Sequence, residues 1–309
     1  MSKPKIKFIV NPNADMGNAW RQAADLRPIL EEYGGTDWAG TVYPTHATEL
    51  SYKAGMDGYD IVIAAGGDGT VHEVVNGLMQ IPADKRPKLG VVPMGSGNDY
   101  AAALGLPDTS EKALKAILTG KTRKIDVGTI EDENGRKEFW DNTLSIGFGG
   151  AVTIFSHRMP VIRGFLMYFV AVVQTILLQY NVLKVTVETE SDSWEDQVML
   201  FAVCNGHREG GGFITAPKAV IDDGEMDYTI VKKVSRAKMF RLIPEFMNGT
   251  QERFDDVYMG RAKKMTITSE SPMFLHTDGE VFAGFENNIH KLILEIHPQA
   301  IEVLVPFEE

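Results

Sequence analysis

Two textures of apolar and polar positions divide this chain. From Ile6 to Val10 an apolar run (IKFIV) predicts a buried strand, followed by a polar loop (NPNADMGN) and a helix-like segment from Ala19 to Glu32 whose last part is interrupted by Pro28. After Tyr59 the run IVIAA leads through a glycine-rich turn at Gly66 to Gly69 into VHEVVNGLM, where Val71, Val74, Val75 and Leu78 share one helical face. A third unit repeats the scheme as LGVVP, MGSGND and YAAAL. Strands separated by helical crossovers predict a mainly parallel, doubly wound α/β sheet, whose ligands lie beyond the carboxyl ends of its strands. The three loops fall at those ends.

After about Asp126 short β-rich runs take over: KVTVETE, QVMLFAVCN, MDYTIV, KMTITS and KLILEIH. Only Ile162 to Tyr180 and Lys238 to Met247 look helical. Such runs with turns between them predict a mainly antiparallel, β-sandwich-like second domain. This reading gives an α/β domain over residues 1–128, a β-rich domain over 129–295, a tail (296–309) packing back on the first domain, and an active site in the cleft between the domains.

Composition narrows the class. Of 309 residues 44% are hydrophobic and 24% charged, as in an ordinary globular protein. The formal net charge of −11 sets up an overall field that repels nucleic acid, and any basic docking patch for a membrane must be local. The most apolar stretch, Gly164 to Leu178, is shorter than the roughly 18 to 20 residues of a spanning helix. With the single cysteine, Cys204, and no leader-like opening segment, the expected location is cytoplasmic.

The chemistry concentrates in two loops. Gly66-Gly67-Asp68-Gly69-Thr70 stands between a buried strand and a helix, where glycines let main-chain N–H groups reach phosphate oxygens and the helix start adds positive potential. It lacks the Lys-Ser/Thr ending of a P-loop and the G-x-G-x-x-G of a dinucleotide fold; the alternative is a tight turn capped by Asp68. Pro93-Met94-Gly95-Ser96-Gly97-Asn98-Asp99 has the same placement and adds a hydroxyl, an amide and a carboxylate, with a plain helix cap as the alternative.

GGDGTVHEVVNGL followed by PMGSGNDYA resembles the diacylglycerol kinase catalytic domain shared by bacterial lipid kinases, sphingosine kinases and ceramide kinases. The resemblance continues through Asp126-Val127-Gly128, Asn142 with SIGFGG, Cys204-Asn205-Gly206, Gly210 to Gly212, DDGEMD at 222–227 and Asp278-Gly279-Glu280. It implies an ATP-dependent lipid kinase that phosphorylates the hydroxyl of a diacylglycerol-like lipid. ATP would be held by Asn11, Thr45, the run Gly66, Gly67, Asp68, Gly69, Thr70, Val71, His72 and Glu73, and by Gly95, Ser96, Asn98 and Asp99. Asp68 would organise the catalytic Mg²⁺ with Asp126 as a water-linked partner, although Asp126 after KTRKI also reads as an ion-pair partner. Either Asp278 or Glu280 would accept the proton of the lipid hydroxyl, the alternative being an ordinary Asp-Gly hairpin turn; His276 and Thr277 are weaker candidates. A second, structural metal would sit at Asp223 with Val220 and Glu225, where a solvated acidic turn is the alternative.

The apolar run from Ile162 to Leu178, flanked by Arg158 and Arg163, is the candidate for acyl chains and transient contact with a membrane surface; bacterial members also suggest a homodimer. Three departures stand out: the opening loop NPNADMG, Ser96 where threonine is common, and Glu225 in place of an apolar residue. The rivals are a kinase of another hydroxyl, such as the ribose of NAD, and a non-catalytic lipid- or nucleotide-binding module.

Overall fold

The computed structural model describes residues 3–159, 162 and 164–307. Arg163, one of the two arginines flanking the apolar run, lies outside them. The chain forms two compact units: one runs to Asp126 and takes in the residues from Gln299 on, and the other is Val127–Pro298.

The first unit is built from β1 (Ile6–Val10), α1 (Ala19–Glu32), β2 (Asp37–Gly40), α2 (His46–Met56), β3 (Ile61–Gly66), α3 (Asp68–Leu78), β4 (Lys88–Pro93), α4 (Asp99–Ala103) and α5 (Ser110–Thr119). Strands β4, β3, β1 and β2 are neighbours in that order and all parallel. The centres of β1, β3 and β4 (Phe8, Ile9, Val62, Ile63, Leu89 and Val92) are fully buried, as strands covered on both faces require. Helix α1 continues through Pro28, against the reading that its last part fails. Proline removes one backbone hydrogen bond, but Ala19, Ala23, Leu26 and Leu30 form a buried stripe that holds both halves of the helix on the core.

The second unit contains the second half of β5 (Lys121–Asp132), β6 (Lys137–Trp140), β7 (Thr143–Gly147), α6 (Phe148–His157), α7 (Gly164–Leu178), β8 (Leu183–Thr189), β9 (Ser193–Cys204), β10 (Met226–Lys232), α8 (Arg236–Asn248), β11 (Val257–Ala262), β12 (Lys264–Ser269), β13 (Leu275–Thr277), β14 (Glu280–Ala283) and the first part of β15 (Lys291–Val305). The order β14-β13-β7-β9-β8-β12-β15 is antiparallel throughout, and β10 pairs with both β9 and β11. The last part of β15 belongs to the first unit, where Val303 pairs in parallel with Leu89 of β4.

Helix α6 is a third helix in a region whose sequence suggests two. Its first turn carries Gly149 and Gly150, poor helix formers. A Cβ at Gly150 would stand 2.6 Å from the Phe274 carbonyl oxygen and 2.7 Å from Leu275 Cα, so the glycine lets the helix lie directly on the β13 backbone. Among the described residues no helix is long and apolar enough to cross a membrane.

One glycine in this unit carries a packing load. Gly128 on β5 lies opposite Trp140 on β6, whose ring is fully buried and occupies the space a Cβ would need. Gly128→Ala is expected to destabilise the protein by about 1–3 kcal/mol, read as a shift of the urea unfolding midpoint at unchanged slope.

Candidate active site

The two glycine loops of the first unit form one assembly. The N–H of Met94 donates to the Gly66 carbonyl (2.8 Å), and the N–H of Asp68 donates to the Gly97 carbonyl (3.2 Å). A Cβ on Gly67 would stand 3.0 Å from the Gly97 oxygen and 3.2 Å from Gly95 Cα, so the loops touch backbone to backbone. Asp68 closes the assembly: Oδ2 accepts from the N–H of Asp99 (3.0 Å) and Oδ1 from that of Tyr100 (3.1 Å). The carboxylate of the first loop thus satisfies the orphan N–H groups that open α4.

Asn98 clips its own loop, its Oδ1 accepting from Gly95 N–H (3.1 Å) and its Nδ2 donating to the Gly95 carbonyl (3.0 Å). The N–H groups of Gly69, Ser96 and Gly97 have no acceptor among the described residues, and Ser96 is exposed. Unpaired amides on adjoining loops, one set at the start of an eleven-residue helix, make a cradle for an anion.

The remaining expected nucleotide residues divide by what their side chains touch. Thr45, a β-branched residue held at φ 73°, is exposed. It is fixed there by Glu73, which accepts from the N–H of Thr45 (2.8 Å) and of Ala47 (3.0 Å) and so caps α2. Asn11 ends β1, its N–H donating to the Ala65 carbonyl (3.0 Å) and its Oδ1 accepting from Asn13 N–H (3.0 Å). Thr70, Val71 and His72 are buried, so their side chains support the loop from below.

Asp126 is fully buried and accepts from the N–H of Gln299 (2.6 Å), which stands at φ 51°. It therefore anchors the turn through which the tail re-enters the first unit.

In the second unit, Asp278 and Gly279 sit at φ 51° and 84° between the paired residues Thr277 and Glu280, the signature of a type I′ hairpin. The turn does separate its two carboxylates. Asp278 is 4% exposed and accepts three N–H groups, from Asp141 (3.0 Å), Asn142 (2.9 Å) and Thr143 (3.0 Å). Glu280 is exposed. Sequence reasoning passed over Glu209, whose carboxylate faces the ring of His276 at 3.4 Å; it lies far away along the chain, and only the long β9-to-β10 connection brings it there.

In the acidic loop at 222–227 the carboxylates are tied together by one arginine. Asp223 spends Oδ1 on the N–H of Glu225 (3.1 Å) and pairs through Oδ2 with Arg261, while Val220 is 43% exposed. The same guanidinium reaches Glu225 (2.8 Å) and Asp227 (3.3 Å), so one arginine on β11 supplies the positive charge that three carboxylates need. Burial pushes the Asp227 carboxyl above its ordinary range, and Arg261 partly offsets this. Among the described residues no three His, Cys, Asp or Glu side chains are arranged to hold a metal. A catalytic Mg²⁺ does not require three, since it binds through one or two carboxylates plus substrate phosphates and water.

Comparison with known proteins now decides the family. The model of the diacylglycerol kinase catalytic domain matches residues 5–130, and that of the YegS C-terminal NAD kinase beta sandwich-like domain matches 142–305. A diacylglycerol kinase of Staphylococcus epidermidis is 30% identical over 98% of this chain and 93% of its own length. The chain belongs to the diacylglycerol kinase family. A diacylglycerol kinase of Bacillus subtilis is 29% identical over 95% of both chains. A crystal structure of a diacylglycerol kinase from Bacillus anthracis str. Sterne covers 99% of this chain and 98% of its own at 22% identity, with a TM-score of 0.74, and shares the fold. Family membership makes the protein a phosphotransferase that acts on an alcohol group.

The Arg261 network has a measurable consequence. Arg261→Ala, which strands three carboxylates, is expected to lower stability by about 1–2 kcal/mol, read as a shift of the thermal unfolding midpoint.

Proposed function

We propose that this protein transfers the γ-phosphate of Mg-ATP to the hydroxyl of a diacylglycerol-like lipid at a membrane surface. The observation that carries the reading is the pair of glycine loops locked by Asp68, which leave the N–H groups of Gly69, Ser96 and Gly97 to hold phosphate oxygens. Thr45, fixed by Glu73, and Asn11 border the nucleotide. When bound, Mg²⁺ neutralises charge on the transferring phosphoryl group. Asp68 is the carboxylate that would hold it, because a carboxylate offers about four lone-pair sites; Asp126 would act through water.

The two carboxylates of the hairpin take different roles. Asp278 is the anchor and Glu280 is the base. Three main-chain donors engage the buried Asp278 carboxylate and keep it turned into the protein, whereas Glu280 is exposed at the turn, where a substrate hydroxyl can reach it. The apolar helix α7 supports a lipid acceptor: Leu166, Leu177 and Leu178 are 59%, 56% and 65% exposed, a surface suited to acyl chains and to peripheral contact with a bilayer.

The test is transfer of ³²P from labelled ATP to detergent-dispersed diacylglycerol, phosphatidylglycerol, a sphingoid base and undecaprenol, with NAD included because of the second family model's description. Label on diacylglycerol supports the reading, label on NAD replaces it, and no labelled acceptor overturns it. Glu280→Gln is expected to lower kcat by about 10²–10⁴-fold at unchanged stability. Asp278→Asn is expected to lose both activity and about 3 kcal/mol of stability. The urea midpoint of each variant separates base from anchor.

A further inference from the structure

Behind the hairpin lie a half-buried carboxylate and a buried imidazole that the reading above does not use. His276 is the middle residue of β13, is 4% exposed, and stands two positions before Asp278 of the turn. The N–H of Gly279 donates to its Nδ1 at 3.2 Å. A main-chain N–H can only donate, so Nδ1 is the acceptor nitrogen, and the neutral ring carries its proton on Nε2. Nε2 faces Glu209 Oε2 at 3.4 Å. The other oxygen of Glu209 accepts from Thr215 Oγ1 (3.2 Å), and Oε2 is buried with no hydrogen bond among the described residues. A buried carboxylate oxygen of that kind is costly unless it faces a donor, and the Nε2–H of His276 is the polar group in front of it.

We propose that Glu209 and His276 are positioning residues for Glu280. Glu209 selects the Nε2–H tautomer of His276, which presents Nδ1 to Gly279 and fixes that peptide. The hairpin is then clamped on both sides of its central glycine: the Asp278 carboxylate holds the turn to the N–H groups of 141–143, and the His276 ring holds Gly279. The side chain at 280 is exposed beside this clamp, so the backbone that carries it is held by groups that never touch substrate. The inference rests on the reading of Glu280 as the base.

Two measurements test it. In ¹⁵N spectra of the imidazole, wild-type protein is expected to show a protonated Nε2 and an unprotonated Nδ1 for His276, and Glu209→Leu to show mixed tautomers; an unchanged spectrum in that variant overturns the proposal without reference to any activity. In the ³²P assay with dispersed 1,2-dioctanoylglycerol, His276→Leu and Glu209→Leu are expected to lose kcat on the order of 10²-fold with the KM for ATP unchanged. His276→Asn, whose Oδ1 replaces Nδ1 as acceptor, recovers most of the loss. Equal losses in His276→Leu and His276→Asn, or wild-type kcat in both leucine variants, overturn the proposal. Wild-type kcat in Glu280→Gln instead sinks the base assignment and leaves the tautomer result to judge the clamp alone.

Discussion

A carboxylate that accepts main-chain N–H groups is the interaction on which both candidate regions depend. Asp68 does this for the opening of α4, Glu73 for the opening of α2, Asp126 for the turn at Gln299 and Asp278 for the segment 141–143. Loops built from glycine, asparagine and serine have few apolar contacts and much backbone polarity, and a buried N–H without an acceptor is expensive. One ionised side chain can hold two or three such groups with charge-assisted bonds, each stronger than a neutral one. The acidic residues that family resemblance marks as functional are therefore also the ones that give the loops their shape.

This dual use explains what could be read in the sequence. The parallel strands, the two glycine loops and the antiparallel second half follow from apolar periodicity and turn residues, which are local signals. The GGDG loop could be singled out as a candidate phosphate cradle from its glycine content and its place between strand and helix. What local reading could not do was rank Asp278 against Glu280, because the difference lies in three N–H groups more than a hundred residues away along the chain. Helix α6 was hidden for a related reason: Gly149 and Gly150 argue against a helix until the backbone of β13 beneath them is known.

Glu209 shows the same limit at longer range. In sequence it is one acidic residue beside three glycines, without a spacing that signals a site. Arg261 likewise lies in an unremarkable strand, and only cross-strand pairing with Asp227 places it against the carboxylates of 223 and 225. For Arg261 the partner is chosen by strand register, and for Glu209 by the path of the β9-to-β10 connection; both are properties of the assembled fold.

The return of β15 to the first unit bears on how the chain is made. Residues 127–298 are an insertion in that unit, whose strand beside β4 comes from the very end of the sequence. Synthesis proceeds from the N-terminus, and domains generally fold as they emerge. Here the first unit, though begun first, stays one strand short until residues 299–305 have been made, so the β-rich segment emerges before the first unit is whole. A ribosome that stalls before those codons leaves the edge of β4 bare, exposing an apolar parallel sheet to other nascent chains.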